Sequence, residues 1–176
     1  MKAKDIEQYV VRPALRALGV YDDRMYTEAS VQLMMGTIAQ ESDMGAFSSQ
    51  IGGGPALGLG QVERNTHTDN MINFAWSRKD LLSCLQSVSL LPITNHFTDE
   101  PEFFYSEEFH LQLEYNWIYN VAQARLKFWR APKELPKMDD LLGMGMYWDT
   151  HYNANPRHGT PKDWVDSYKY FVLGER

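Results

Sequence analysis

The chain has 176 residues, 44% hydrophobic and 23% charged, with one cysteine and a formal net charge of -6. That length and mixture suit one domain with its own core, and exclude a disordered chain or one stapled by internal disulfides. The acidic balance argues against nucleic acid as the main partner, because phosphate binding needs a basic footprint, and apolar runs such as residues 89–93 are far too short to span a membrane.

The N-terminal MKAKDIEQYVV lacks an apolar core with a small-residue cleavage site, so no signal peptide is expected. That leaves a cytosolic protein, one exported by another route such as a phage particle, or a chain trimmed of its leader. The pattern that follows is helical throughout, without convincing alternating strands or internal repeats. Ile6, Val10, Leu15 and Leu18 predict a first helix that Pro13 kinks or divides and Gly19 closes. Thr27 is placed to cap a second helix, whose stripe of Val31, Met34, Met35 and Ile38 fades near Ser42. Residues 43–60 carry six glycines and one proline and read as an ordered loop or pair of turns.

A helix is expected over roughly 77–90, then an aromatic-rich loop over 92–106. Ser106 with Glu107 and Glu108 starts the longest predicted helix, carrying Phe109, Leu113, Trp117, Val121, Ala124 and Phe128 through the core until Pro132 and Pro136. Another spans about 138–152, with Leu141, Gly145, Trp148 and Tyr152 on one face. Thr160 as cap, Pro161 at the first position and Asp163 at the third start the last helix, buried through Trp164, Tyr168, Phe171 and Val172.

Glu41 is the residue that points to chemistry. It lies three residues after Ile38 and seven after Met34, so a continuing helix aims it along the apolar stripe. A carboxylate there is costly unless partnered or protonated, and a desolvated, protonated carboxyl is a natural general acid. A helix-end glutamate that reaches solvent is the competing reading. Cys84 reads as a buried small hydrophobe. Aromatics in the loop, Phe97, Phe103, Phe104 and Tyr105, are candidates for stacking on sugar faces or for anchoring the loop against the core.

Glu41-Ser42, a glycine-bearing loop, Gly58-Leu59-Gly60-Gln61-Val62 and a late Tyr152-Asn153 pair together resemble the lytic transglycosylase family, related to goose-type lysozyme. NWIYNVAQARLKF, 116–128, is similar to that family's central helix, with Ala122 or Asn120 where glycine is usual. The resemblance spans about residues 27–155. Gly60 replaces a usual methionine, and Tyr152-Asn153-Ala154-Asn155-Pro156 replaces Tyr-Asn-Ala-Gly. Asn155 would have to supply the left-handed geometry of glycine, against the extended bias imposed by Pro156.

The resemblance implies an all-α, lysozyme-like single domain over residues 1–176 that cleaves the MurNAc-GlcNAc β-1,4 bond of peptidoglycan glycan strands without a cofactor or metal. Glu41 would be the catalytic acid and then base, giving 1,6-anhydro ends. Ser42 would bind substrate or orient the carboxyl, Gln61 and the Gly58-Leu59 loop would hold acetamido groups, and Tyr152, beside Asn153, would hydrogen-bond Glu41. A second carboxylate, from Asp43, Glu63, Asp69 or Asp149, would instead permit hydrolysis of the lysozyme kind. His151 and His158 match no helical metal pair. The segment 67–105 is expected to form a lid or groove wall. The absent leader and isolated domain look like a bacteriophage enzyme, either a virion component that works among tail proteins or an endolysin. A non-catalytic tail or secretion-apparatus protein that binds glycan is the alternative.

Overall fold

The computed structural model describes residues 2–93, 101–153 and 159–175, and these are mainly helical. Helix α1 (Ala3–Ile6) runs through a π turn (Glu7–Val11) into α2 (Arg12–Gly19). Pro13 falls in the first turn of α2, directly after the π turn, so the expected division takes the form of a wider turn within a helical run rather than a break. Helix α3 (Glu28–Ser42) opens on a capping box between Thr27 and Ser30, and all but its ends are buried. Such all-round burial makes α3 a central strut.

A left-handed Asp43 ends α3, and the chain then returns as a short antiparallel hairpin, β1 (Ala56–Leu57) with β2 (Val62–Glu63), pairing Ala56 with Glu63 and Leu57 with Val62. Strands of two residues are too short to alternate visibly in sequence. The expected lid segment contains α4 (Arg64–Asp69), a π turn (Asn70–Ala75), α5 (Lys79–Val88) and a 3-10 turn (Pro101–Tyr105). Phe104 is fully buried against Trp76, Phe103 and Phe109, so this part of the segment anchors to the core, while Tyr105 is exposed. Phe97 lies outside the described residues.

The long helix expected from Ser106 is two helices, α6 (Glu107–Tyr115) and α7 (Trp117–Trp129). Asn116 leaves helical geometry, and its side chain accepts from the Tyr119 amide to cap α7 while donating to the Val88 carbonyl. Its apolar neighbours keep the same spacing across the break. Helix α8 (Leu141–His151) precedes α9 (Pro161–Ser167), which begins on the expected Thr160–Asp163 capping box and ends in a π turn (Tyr168–Leu173). A continuous buried cluster joins α1–α3, α7, α8 and α9 through residues such as Ile6, Leu15, Leu33, Leu126, Trp148 and Trp164. No helix among the described residues is long and apolar enough to cross a membrane.

Candidate active site

Three segments meet at one cleft of about 360 Å³: the end of α3, the loop and hairpin after it, and the facing sides of α7 and α8. Glu41, Gln61, Glu63, Lys127, Tyr152 and Asn153 line it. At the floor, Glu41 accepts a 2.8 Å hydrogen bond from the Trp148 indole, itself 1% exposed. Burial pushes the Glu41 carboxyl up to about 7, against the opposing pull of that bond and of the Lys127 charge, with Glu63 adding a smaller upward push. The carboxyl therefore holds its proton near neutrality, as a general acid must.

The Gly-Leu-Gly-Gln turn is fixed from behind. Gly58 is left-handed at φ 74°, and a Cβ there would lie 2.1 Å from the Leu113 carbonyl oxygen, so only glycine fits. Asn120 on α7 donates to the Leu57 and Leu113 carbonyls and accepts from the Gly60 amide at 2.8 Å. A Cβ on Gly60 would press against Ala124, Tyr152 and Asn120 at 3.0–3.3 Å, so a side chain there would require its neighbours to give. Gln61 is held at φ 47°, and its side-chain amide donates to the Gly58 carbonyl. A non-glycine residue in that region is strained, and such strain gathers at functional sites.

Two expected roles change. Ser42 is fully buried and its hydroxyl donates to the carbonyls of Leu59 and Ile38, so it holds the turn rather than substrate or the carboxyl. Tyr152 donates to the Gly60 carbonyl at 2.6 Å rather than to Glu41. The reason is common to both: a glycine-rich turn packed inside the protein carries buried carbonyls that must find donors. Leu59 and Gly58 likewise sit behind the cleft as packing and turn residues. Asn153 donates to Asp149 and to the Gly159 carbonyl at the cleft edge.

Among the four candidate second carboxylates, Glu63 lines the cleft with Glu41. Asp43 is exposed, Asp69 is bound to Arg130 and Asn73, and Asp149 accepts from Asn153. No group of three potential metal ligands occurs among the described residues. Ala154, Asn155, Pro156 and His158 lie outside the described residues, and with them the expected left-handed Asn155.

Trp148 and Lys127 were not singled out by the motif pattern, and Asn120 entered it only as a position where glycine is usual, not as the residue that holds the turn. Each had a signal: Trp148 precedes Tyr152 by one helical turn, and Asn120 and Lys127 are polar positions seven residues apart on one face of α7. No family model, curated protein or solved structure matches the chain.

Proposed function

We propose that the protein cleaves the β-1,4 glycosidic bonds of peptidoglycan glycan strands as a lytic transglycosylase, with Glu41 as acid and then base. The observation that carries this reading is a carboxyl protonated to about pH 7 at the floor of an open cleft, oriented by Trp148. Its proton passes to the leaving sugar oxygen as the C1–O bond breaks and positive charge grows at C1. The resulting carboxylate then takes the proton of the muramyl 6-hydroxyl as that oxygen bonds C1, which closes a 1,6-anhydro ring and restores Glu41. Gln61 and Asn153, on the cleft wall, are the groups suited to hold the substrate's amides.

Glu63 favours a second reading, hydrolysis. A carboxylate on the same cleft wall is placed to take a proton from water, which would then attack C1 in place of the 6-hydroxyl. The product decides between the two. Purified protein is incubated with peptidoglycan sacculi and the released muropeptides are weighed by mass spectrometry: 1,6-anhydro ends support transglycosylation, and ends heavier by one water support hydrolysis. Absence of release, with Glu41→Gln binding sacculi as well as the wild type, would leave a glycan-binding protein. The bacterial cell wall is the proposed place of action, reached as part of a phage virion or as an endolysin.

A further inference from the structure

Lys127 has no part in the chemistry described so far, yet its position is an expensive one. It is the cation among the described residues that line the cleft, and most of its side chain is withdrawn from water. Its ammonium donates to the Tyr152 carbonyl at 2.7 Å and sits 4.3 Å above the Tyr152 ring. A neutral carbonyl and a ring face repay only part of the cost of desolvating a charge, and a methionine would fill the same space at less cost. Burial disfavours the charged lysine and is the larger effect; Glu63 on β2, and Glu41 on α3 whenever it is ionised, oppose it from the same cleft.

We propose that Lys127 is a positioning residue for the acid, an ammonium fixed in the cleft wall as counter-ion to the Glu41 carboxylate. The inference rests on the reading of Glu41 as the acid. When the Glu41 proton moves to the leaving oxygen, a negative charge appears in a poorly hydrated site, and a fixed positive charge that does not move lowers the cost of that transfer. Lys127 keeps its own proton throughout. The carboxylate is neutralised again when the attacking hydroxyl returns a proton, so the cycle closes without net change. Glu63 on β2 acts on Glu41 in the opposite sense, and Tyr152 on α8 is held neutral by its burial and by both carboxylates. Asp69, Arg130 and His151 line a separate hollow on the far side of Lys127, where Asp69 and Arg130 pair with each other.

The bland alternative is that Lys127 only ties down the carbonyl at the end of α8, a common use of lysine at helix C-termini. Titration of Glu41 separates the two. In the full chain labelled with carboxyl-13C glutamate, the Glu41 signal is assigned by its loss in Glu41→Gln and followed against pH by NMR. The wild type is expected to titrate near 7. Lys127→Met is expected to move that midpoint up by about one unit, and Lys127→Arg to leave it near the wild-type value. Glu63→Gln should move it down.

On sacculi, the alkaline limb of the Lys127→Met pH–rate profile should rise with the midpoint, and kcat at the optimum should fall about tenfold. An unmoved Glu41 midpoint in Lys127→Met, with only the melting temperature lowered, would overturn the inference in favour of the helix-end role. If that variant does not fold, Lys127→Gln, whose amide still donates to the Tyr152 carbonyl, gives the same comparison. Cleavage that persists in Glu41→Gln would overturn the acid reading itself, whatever the Lys127 titration shows.

Discussion

Replacing Glu41 by glutamine is expected to make the protein more stable while removing the proposed cleavage activity, and the gain should depend on pH. The folded chain keeps the Glu41 proton to about 7, whereas a glutamate in an unfolded chain ordinarily loses it near 4.5. The folded state therefore binds more protons than the unfolded one between these values, and stability falls as pH rises through them. The difference corresponds to about 3 kcal/mol once Glu41 is ionised in both states. Glutamine has nearly the same shape, keeps an oxygen for the Trp148 indole, and carries no charge to desolvate. At pH 5 the two proteins should melt within a degree or two of each other; at pH 8 the variant should melt about 5–10 °C higher. Differential scanning fluorimetry at the two pH values measures this. An equal difference at both would mean that Glu41 is hydrated and of ordinary acidity, and the acid reading would lose its physical basis.

Other consequences of the structure can be checked separately. Gly58→Ala forces a side chain into the left-handed region and against the Leu113 carbonyl, and should cost about 3 kcal/mol in urea denaturation and abolish cleavage. Asn120→Ala removes two hydrogen bonds to the hairpin and its turn, at Leu57 and Gly60, and one to the Leu113 carbonyl of α6, for a loss of about 3 kcal/mol in the same assay. His67 is fully buried between His110 and Tyr119, and burial holds its pKa well below 6.5. The unfolded chain takes up that proton first, so stability should decline as pH falls below about 6.5, and His67→Phe should flatten that decline in the same pH series. Asn116→Ala should cost about 1 kcal/mol through loss of the α7 cap.

The helices and their ends were legible where the signal is local. Thr27 and Thr160 cap as their spacing predicts, and Glu41 lies half-buried at the cleft, where the stripe of α3 ends. The break at Asn116 was not legible, because Leu113, Trp117 and Val121 keep their helical spacing across it and only the asparagine reveals a new start. Of the motif residues, Glu41, Gln61, Tyr152 and Asn153 line the cleft, but the hydrogen-bond partners of Ser42 and Tyr152 were not legible. Ser42 and Tyr152 appear in sequence as polar groups near an acid; whether they serve the carboxyl or a buried carbonyl depends on how deeply the glycine turn packs. Trp148 reads as one more buried aromatic until α8 is set against α3. Such pairings span 107 residues of chain, and no local pattern encodes them.

The bond from Tyr152 to the Gly60 carbonyl joins positions 92 residues apart, and the one from Trp148 to Glu41 is longer still. The order of synthesis gives this distance a meaning. A nascent chain that has emerged only through α7 already contains Glu41, the glycine turn and Asn120, but neither aromatic donor from α8. Without the Trp148 indole and the packing of α8, the carboxyl would be open to water there. On that order the buried acid would be completed only when the C-terminal helices dock, and pulse-labelled hydrogen exchange at the Trp148 indole would date that event. The proposed cleavage, if assembled in this order, would stay silent until α8 has been made and has docked.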